Sequence, residues 1–405
     1  MKKEQWIIIG GGAAGLTAAI MLGRAGQKVL LLEQNSRAGK KLLATGNGRC
    51  NLSNRTITPE HFHSGDPTFV EQVLAEHSTD TIEKFFGELG LPLVEGKAGQ
   101  MFPMSLQASA VVEILIHAAE HARVTILTET TVTGITHREN AFVVHAAKQS
   151  WQAEKILLTA GSPAAPQLGG SMSGLEFAQA LGHTIHPYHP ALVQLESDAP
   201  WLKRTAGVKI EGNARLYANG EIVDERHGDL LFTPYGISGL AILDLSRTAS
   251  LALAESAWCE LKLNLLPRFS KEQLTQLLLR RIDPASNKPI ALWLSAILNK
   301  KLVPVLLEQV KCTAKSESEL GRKHVNKFVH AIRNFTLPIT DTHGFKHAEA
   351  AAGGVDVNEV DPVTMESRIM SGLYFGGEIL DVVGDRGGYN LHWAWVTGLR
   401  VGNYS

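Results

Sequence analysis

The chain has 405 residues, 44% of them hydrophobic, with 39 Lys and Arg against 40 Asp and Glu for a formal net charge of −1. Such a chain can bury a large core, expected to divide into two or three domains, and its balanced charge gives no sign of a polyanion partner. Three widely spaced cysteines, Cys50, Cys259 and Cys312, with no C-x-x-C, argue against a disulfide framework or a redox dithiol and for a reducing cytoplasm.

At the N-terminus, Met1-Lys2-Lys3 and the uncharged run from Gln5 to Gly23 imitate a signal peptide. The glycines in that run argue against one. Ile7 to Ile9 instead predict a strand, and Gly10, Gly12 and Gly15 satisfy G-x-G-x-x-G at the turn into a helix beginning near Ala13. The first glycine permits the tight turn, the second lets backbone approach a pyrophosphate, and the third lets the helix pack closely on the strand. Phosphates then meet the positive helix N-terminus at Ala13 and Ala14. A second strand, Lys28 to Leu32, ends in Glu33, at the spacing of a ribose-binding acid, with Gln34 beside it. An acid there disfavours a 2′-phosphate, but the signature alone does not separate NAD from FAD.

Residues 37–54 read R-A-G-K-K-L-L-A-T-G-N-G-R-C-N-L-S-N, placing Gly39, Gly46 and Gly48 among Lys40, Lys41 and Arg49, with Cys50 and Asn51 following. Backbone N–H groups and fixed cations in such a loop suit an elongated anionic cofactor. The sulfur of Cys50 is expected to be a small buried group whose backbone touches the cofactor. A helix at roughly 106–121, a strand at 123–128 and an alternating meander from Thr130 to Ala153 follow, then a strand with a small-residue turn at 155–161 containing Ala160 and Gly161. His183, His186 and His189 recur every third residue, but Pro187 and Pro190 break any helix that would align them, so no metal site is expected.

From about 191 to 265 short runs broken by Gly and Pro predict a β-rich, barrel-like insertion. From about 266 to 344 apolar spacing predicts helices, punctuated by Pro284, Pro289 and Pro304. Residues 1–190 and 345–405 then form one discontinuous Rossmann-type domain of an α/β protein, with the insertion expected to cover its ligand. Near the C-terminus a strand at Leu373 to Phe375 leads to Gly376, Gly377 and Glu378, then Asp381. Gly387, Gly388, Tyr389 and Asn390 precede a helix running to about Val401. A helix N-terminus there would stabilise negative charge on a reduced flavin. Trp393 and Trp395 are expected in the core, and Tyr235 at a turn or substrate cavity.

On these residues the chain resembles the BaiN/RdsA-type (YhiN-like) FAD-dependent flavoproteins, which include aminoacetone oxidase-like enzymes and a bile-acid reductase. The shared markers are G-G-G-A-A-G, T-G-N-G-R-C-N (45–51), M-F-P (101–103), T-A-G-S (159–162), L-V-Q-L (192–195), F-T-P-Y-G-I-S-G (232–239), A-G-G-V (352–355), G-G-E-I-L-D and G-G-Y-N. The family usually has His at the position of Pro234 and Thr at that of Ala351, so any role of those side chains does not carry over.

The resemblance and the motifs together imply non-covalent FAD held by Gly10, Gly12, Ala13, Ala14, Gly15, Glu33, Gln34, Lys41, Gly46, Gly48, Arg49, Cys50, Asn51, Val132, Ala160, Gly161, Gly377, Glu378, Asp381, Gly388, Tyr389 and Asn390. They leave the catalytic acid or base unassigned. The expected chemistry is hydride transfer between flavin N5 and a small or medium organic substrate, with no nucleic acid, membrane or metal partner and the oligomeric state open. Two forms stay open: an amine oxidase of the aminoacetone type, and an ene-reductase of the bile-acid type. A flavin-bearing binding module is the non-enzymatic alternative. No second strand–G-x-G-x-x-G–helix unit occurs, so NAD(P)H would act as a transient reductant at the flavin.

Overall fold

The computed structural model describes residues 2–138 and 141–404. The chain forms two compact units, Met1–Tyr188 with Glu349–Ser405, and His189–Ala348.

The first unit begins β1 (Lys2–Ile9), α1 (Ala13–Arg24), β2 (Val29–Leu32), and continues through α2 (Ala108–His121), β3 (Thr125–Leu127), β4 (Val132–Arg138), β5 (Ala141–Ala146) and β6 (Gln149–Leu158). β3, β2, β1 and β6 lie side by side and parallel. Ile7, Ile8, Leu31, Leu157 and Leu158 are fully buried, the continuous apolar pattern of strands covered on both faces. Each such side chain contributes about 1.5–3 kcal/mol on burial.

β6 is long enough to take two partners along one edge. Its first half pairs with β5 in the antiparallel β4–β5–β6 meander, and its last residues, Ile156–Leu158, pair in parallel with the returning strand Leu373–Phe375. The sheet is thereby completed from sequence on both sides of the insertion. α3 (Tyr389–Tyr404) then packs along α1.

The second unit is built on a seven-stranded antiparallel sheet. Its order runs Phe335–Ile339, Cys259–Asn264, Lys209–Ala218, Glu221–Thr233, Gly236–Ser238, Leu195–Glu196, Asp341–Thr342. The two edge strands are consecutive in the chain, separated only by Thr340, whose N–H donates to the Glu196 carbonyl at 3.0 Å. Both edges therefore come together, and the sheet curls into a barrel-like form.

The helix Leu240–Ala254 sits inside the stretch expected to be β-rich. It buries Ala241, Ile242, Leu245, Ser246, Ala249 and Ser250, a helical spacing that short neighbouring β runs conceal. Helices Lys271–Arg280 and Arg322–Arg333 bury Leu274, Leu278, Phe328 and Ile332 in the same core as Phe232, Leu261 and Leu337 of the sheet.

Candidate functional site

The β1–α1–β2 turn is held open by glycine. Gly10 has φ of 109°, and a Cβ on it would strike the Thr159 carbonyl. Gly15 lets α1 cross so near that a Cβ would collide with the Gly10 carbonyl and lie 2.7 Å from Thr159 Oγ1. That hydroxyl donates to the carbonyls of Ile9 and Gly10, at 3.1 and 2.8 Å, and so ties the end of β6 to the turn. A Cβ on Gly12, by contrast, meets nothing within 4 Å. Ala13 and Ala14 begin the helix, and no side chain caps it. Open space therefore faces uncapped N–H groups, which suits a phosphate.

Glu33 stands at the end of β2 and is buried. Its carboxylate accepts from the Gly11 N–H at 2.8 Å and from the backbone and side-chain N–H groups of Asn35, both at 2.7 Å. Gln34 donates to the Gly169 carbonyl at 2.8 Å and fastens the loop after β6. Val132 opens β4 and is buried. A Cβ on Gly161 meets nothing within 4 Å, while the Ala160 and Ile379 side chains both close on Gly174.

Lys41 and Glu378, from opposite ends of the sequence, meet at 2.8 Å. The other Glu378 oxygen accepts from the Ala351 N–H at 3.2 Å. The Tyr188 hydroxyl lies 3.2 Å from the Gly161 carbonyl and 3.1 Å from that of Glu378. Burial, then the charges of Glu378 and Asp381, push its pKa well up, so Tyr188 serves as a neutral clasp. Gly377 donates to Thr397 Oγ1 at 2.9 Å and accepts from Trp393 Nε1 at 3.3 Å. The backbone N–H of Asp381 donates to Val355 at 3.0 Å.

In the 45–51 loop, Gly46 and Gly48 adopt left-handed φ, and Cys50 does too at 59°. The Arg49 side chain bonds the Gly46 carbonyl at 3.1 Å and lies 5.0 Å over the Phe102 ring. Cys50 is fully buried, and burial pushes its thiol up to about 11. Asn51 Oδ1 accepts from the Met101 N–H at 3.1 Å. Gly388 crosses above Ser53. Asn390 accepts from the Gly384 N–H at 2.8 Å and donates to its carbonyl at 2.7 Å.

Tyr389 heads α3 and reveals a cluster that sequence reasoning missed. Its ring stacks on His61 at 4.3 Å, and its hydroxyl lies 3.1 Å from Thr56 Oγ1. Asp385 bridges His61 Nδ1 at 3.1 Å and His63 Nε2 at 2.8 Å. The signal was the His-x-His pair around Phe62, with His61 ending a short helical turn and His63 in the strand Phe62–Ser64. His183 is instead explained structurally: its nitrogens are taken by Glu359 and Ser367, at 3.0 and 2.8 Å. Trp393 and Trp395 are core residues.

A family model described as HI0933-like protein Rossmann domain matches residues 4–404. The chain belongs to the HI0933-like family. It is an FAD-dependent oxidoreductase with a Rossmann-type nucleotide domain, as the BaiN/RdsA resemblance implied. Among its relatives, the 3-dehydro-bile acid delta(4,6)-reductase of Clostridium scindens is 36% identical over 398 residues, covering 98% of this chain and 97% of that protein. The ribosomal RNA dihydrouridine synthase of Escherichia coli is 30% identical, covering 98% and 96%. Its Haemophilus influenzae counterpart is also 30% identical, covering 96% and 95%. No helix among the described residues is long and apolar enough to cross a membrane. The open face at Gly12, the uncapped α1 and the buried Glu33 fit the nucleotide end of FAD in this HI0933-like protein.

Proposed function

We propose that this protein is a reductase of small molecules carrying a C=C bond conjugated to a carbonyl. The observation that carries the FAD site is the Glu33 carboxylate fixed against Gly11 beside the open face of Gly12. With three N–H donors on it, Glu33 keeps acceptor capacity for a ribose hydroxyl. Uncapped N–H groups at Ala13 and Ala14 would take the pyrophosphate. The loop carrying Lys41, Gly46, Gly48 and Arg49, and the Gly377–Asn390 segment with Asp381, would hold the remainder.

When bound, FAD supplies reversible hydride transfer at N5. The reducing direction is supported by the names of the relatives, because a delta(4,6)-reductase and a dihydrouridine synthase both add hydrogen across a C=C bond next to a carbonyl. Reducing equivalents would come from NAD(P)H visiting the flavin site.

The test is anaerobic reduction of the FAD-loaded protein followed by rapid mixing with a 3-oxo-Δ4,6 steroid, with uridine-containing RNA, or with O₂, following flavin absorbance. Oxidation by the steroid enone much faster than by O₂ is expected. Fast reaction with O₂ giving stoichiometric peroxide, with both unsaturated acceptors inert, would overturn the reading in favour of an oxidase. Selective oxidation by the RNA would move the substrate to a nucleic acid.

A further inference from the structure

We propose that Ser53 and His392 form a positioning pair that sets the reduction potential of the bound flavin, by fixing the first turn of α3 against the segment that follows the cofactor loop. The proposal rests on the FAD site described above and is independent of which substrate the flavin reduces.

Three consecutive residues after the 45–51 loop each grip one point along the head of α3. Trp395 Nε1 donates to the Leu52 carbonyl at 2.9 Å, His392 Nδ1 lies 2.9 Å from Ser53 Oγ, and Asn54 Nδ2 donates to the Gly387 carbonyl at 3.1 Å. The backbones are equally close, because a Cβ on Gly388 would collide with the Ser53 carbonyl. Left-handed φ values of 136° at Gly387 and 109° at Gly388 permit that approach. The His392 N–H then closes the first turn onto the Gly388 carbonyl at 2.9 Å.

Within this clasp, the Ser53–His392 hydrogen bond can run in one direction only. Both side chains are fully buried, and burial keeps the imidazole neutral by pushing its pKa down to about 4. Its Nε2 faces the His77 carbonyl at 3.0 Å. A carbonyl only accepts, so Nε2 carries the proton, Nδ1 is the acceptor, and the Ser53 hydroxyl donates to it. With both ring nitrogens committed, the His392 ring is fixed, and so is the placement of the first turn against Ser53.

That placement acts on charge. The N–H groups of Tyr389, Asn390 and Leu391 precede the first intrahelical bond and have no acceptor within the helix. The Asn390 side chain is turned back to Gly384. These amides are the positive end of a 16-residue helix. Reduction adds negative charge to the flavin ring, so the reduced form gains more from this end than the oxidised form does. The effect falls off within one turn, which makes it sensitive to where Ser53 and His392 hold that turn.

The test is an anaerobic, dye-coupled redox titration of the FAD-loaded full chain and its variants. Ser53→Ala removes the donor, His392→Gln reaches toward the His77 carbonyl in place of Ser53, and His392→Asn puts an amide oxygen near the position of Nδ1. Ser53→Ala and His392→Gln are expected to weaken binding of reduced relative to oxidised FAD about tenfold, a potential lower by about 30 mV for the two-electron couple. His392→Asn is expected to stay near the unsubstituted protein. Val401→Ala, a buried truncation farther along the same helix, controls for lost stability and is expected to leave the potential unchanged. Unchanged potentials in Ser53→Ala and His392→Gln, an equal fall in Val401→Ala or His392→Asn, or loss of FAD in both redox states overturns the proposal. The potential is read with no organic substrate present, so failure of the enone-reductase reading leaves this result standing, and the converse also holds.

Discussion

Lys41 and Glu378 stand 337 positions apart in sequence, yet their charged groups meet at 2.8 Å. The pair joins the loop after β2 to the segment after the insertion, and Glu378 also holds the Ala351 N–H.

Lys41→Met leaves Glu378 with the Ala351 amide alone and removes a cation from the proposed cofactor loop. Because the lysine is 34% exposed, the stability loss is expected to stay below about 1 kcal/mol. FAD affinity is expected to fall about tenfold, an electrostatic effect of roughly 1.4 kcal/mol. Fluorescence titration with FAD beside thermal unfolding of the apoprotein separates the two, and an unchanged FAD affinity would remove Lys41 from the cofactor site.

Gly15→Ala drives a methyl group into the Gly10 carbonyl. The backbone crossing must then open, at a cost above about 2 kcal/mol, and the phosphate-facing turn with it. Loss of FAD binding together with a lower unfolding midpoint is expected. A folded variant with normal FAD affinity would refute the geometry assigned to this turn.

The Cys50 thiol, raised from 9.0 to about 11 by burial, favours the folded state only while it stays protonated in both states. Its contribution is complete below pH 9 and is lost as pH rises from about 9 to 11, on the order of 2–3 kcal/mol. Denaturant titrations across that range should show the fall, and Cys50→Ala should flatten it. The native thiol should also resist alkylation at pH 8 and react once the protein unfolds.

Acid acts at another place. His392 is held down to about 4 by burial, with its Nε2 against the His77 carbonyl at 3.0 Å, and His77 is held down to about 4 by burial and by the Arg400 charge. Depressed values mean that the neutral forms stabilise the fold above pH 6.5 and that this support is lost as pH falls toward 4. Urea midpoints should drop steeply between those limits. His392→Gln should shallow the drop, and a parallel curve for the variant would exclude His392 as the cause.

The nucleotide cradle was legible because its logic is local: a strand, three spaced glycines, a helix and an acid lie within the first thirty-odd residues. The partnership of Lys41 with Glu378 was not, since only the tertiary fold brings the two ends together. Asn35 was passed over although its two hydrogen bonds to Glu33 are local, made two residues on in the chain. In the second unit, the Leu240–Ala254 helix was concealed by Ser246 and Ser250, weak helix formers that burial overrides. The strand Phe335–Ile339 follows directly on a helix, and its identity depends on pairing with Cys259–Asn264, a contact no window of sequence contains. The His61–Asp385–His63 bridge likewise joins residues more than three hundred positions apart.

The meeting of the curled sheet's two edges at Thr340 has a kinetic meaning. His343 and Glu196, which close that seam, are 147 positions apart, so the ring of strands cannot seal until a very long stretch of chain has been gathered. Loop entropy sets a late, slow step of this kind. Until it is complete, Cys259–Asn264 and Leu195–Glu196 present bare backbone to any neighbouring chain, and afterwards both are paired. The two short strands flanking Thr340 thus cover two backbone edges that would otherwise stay open to a second chain.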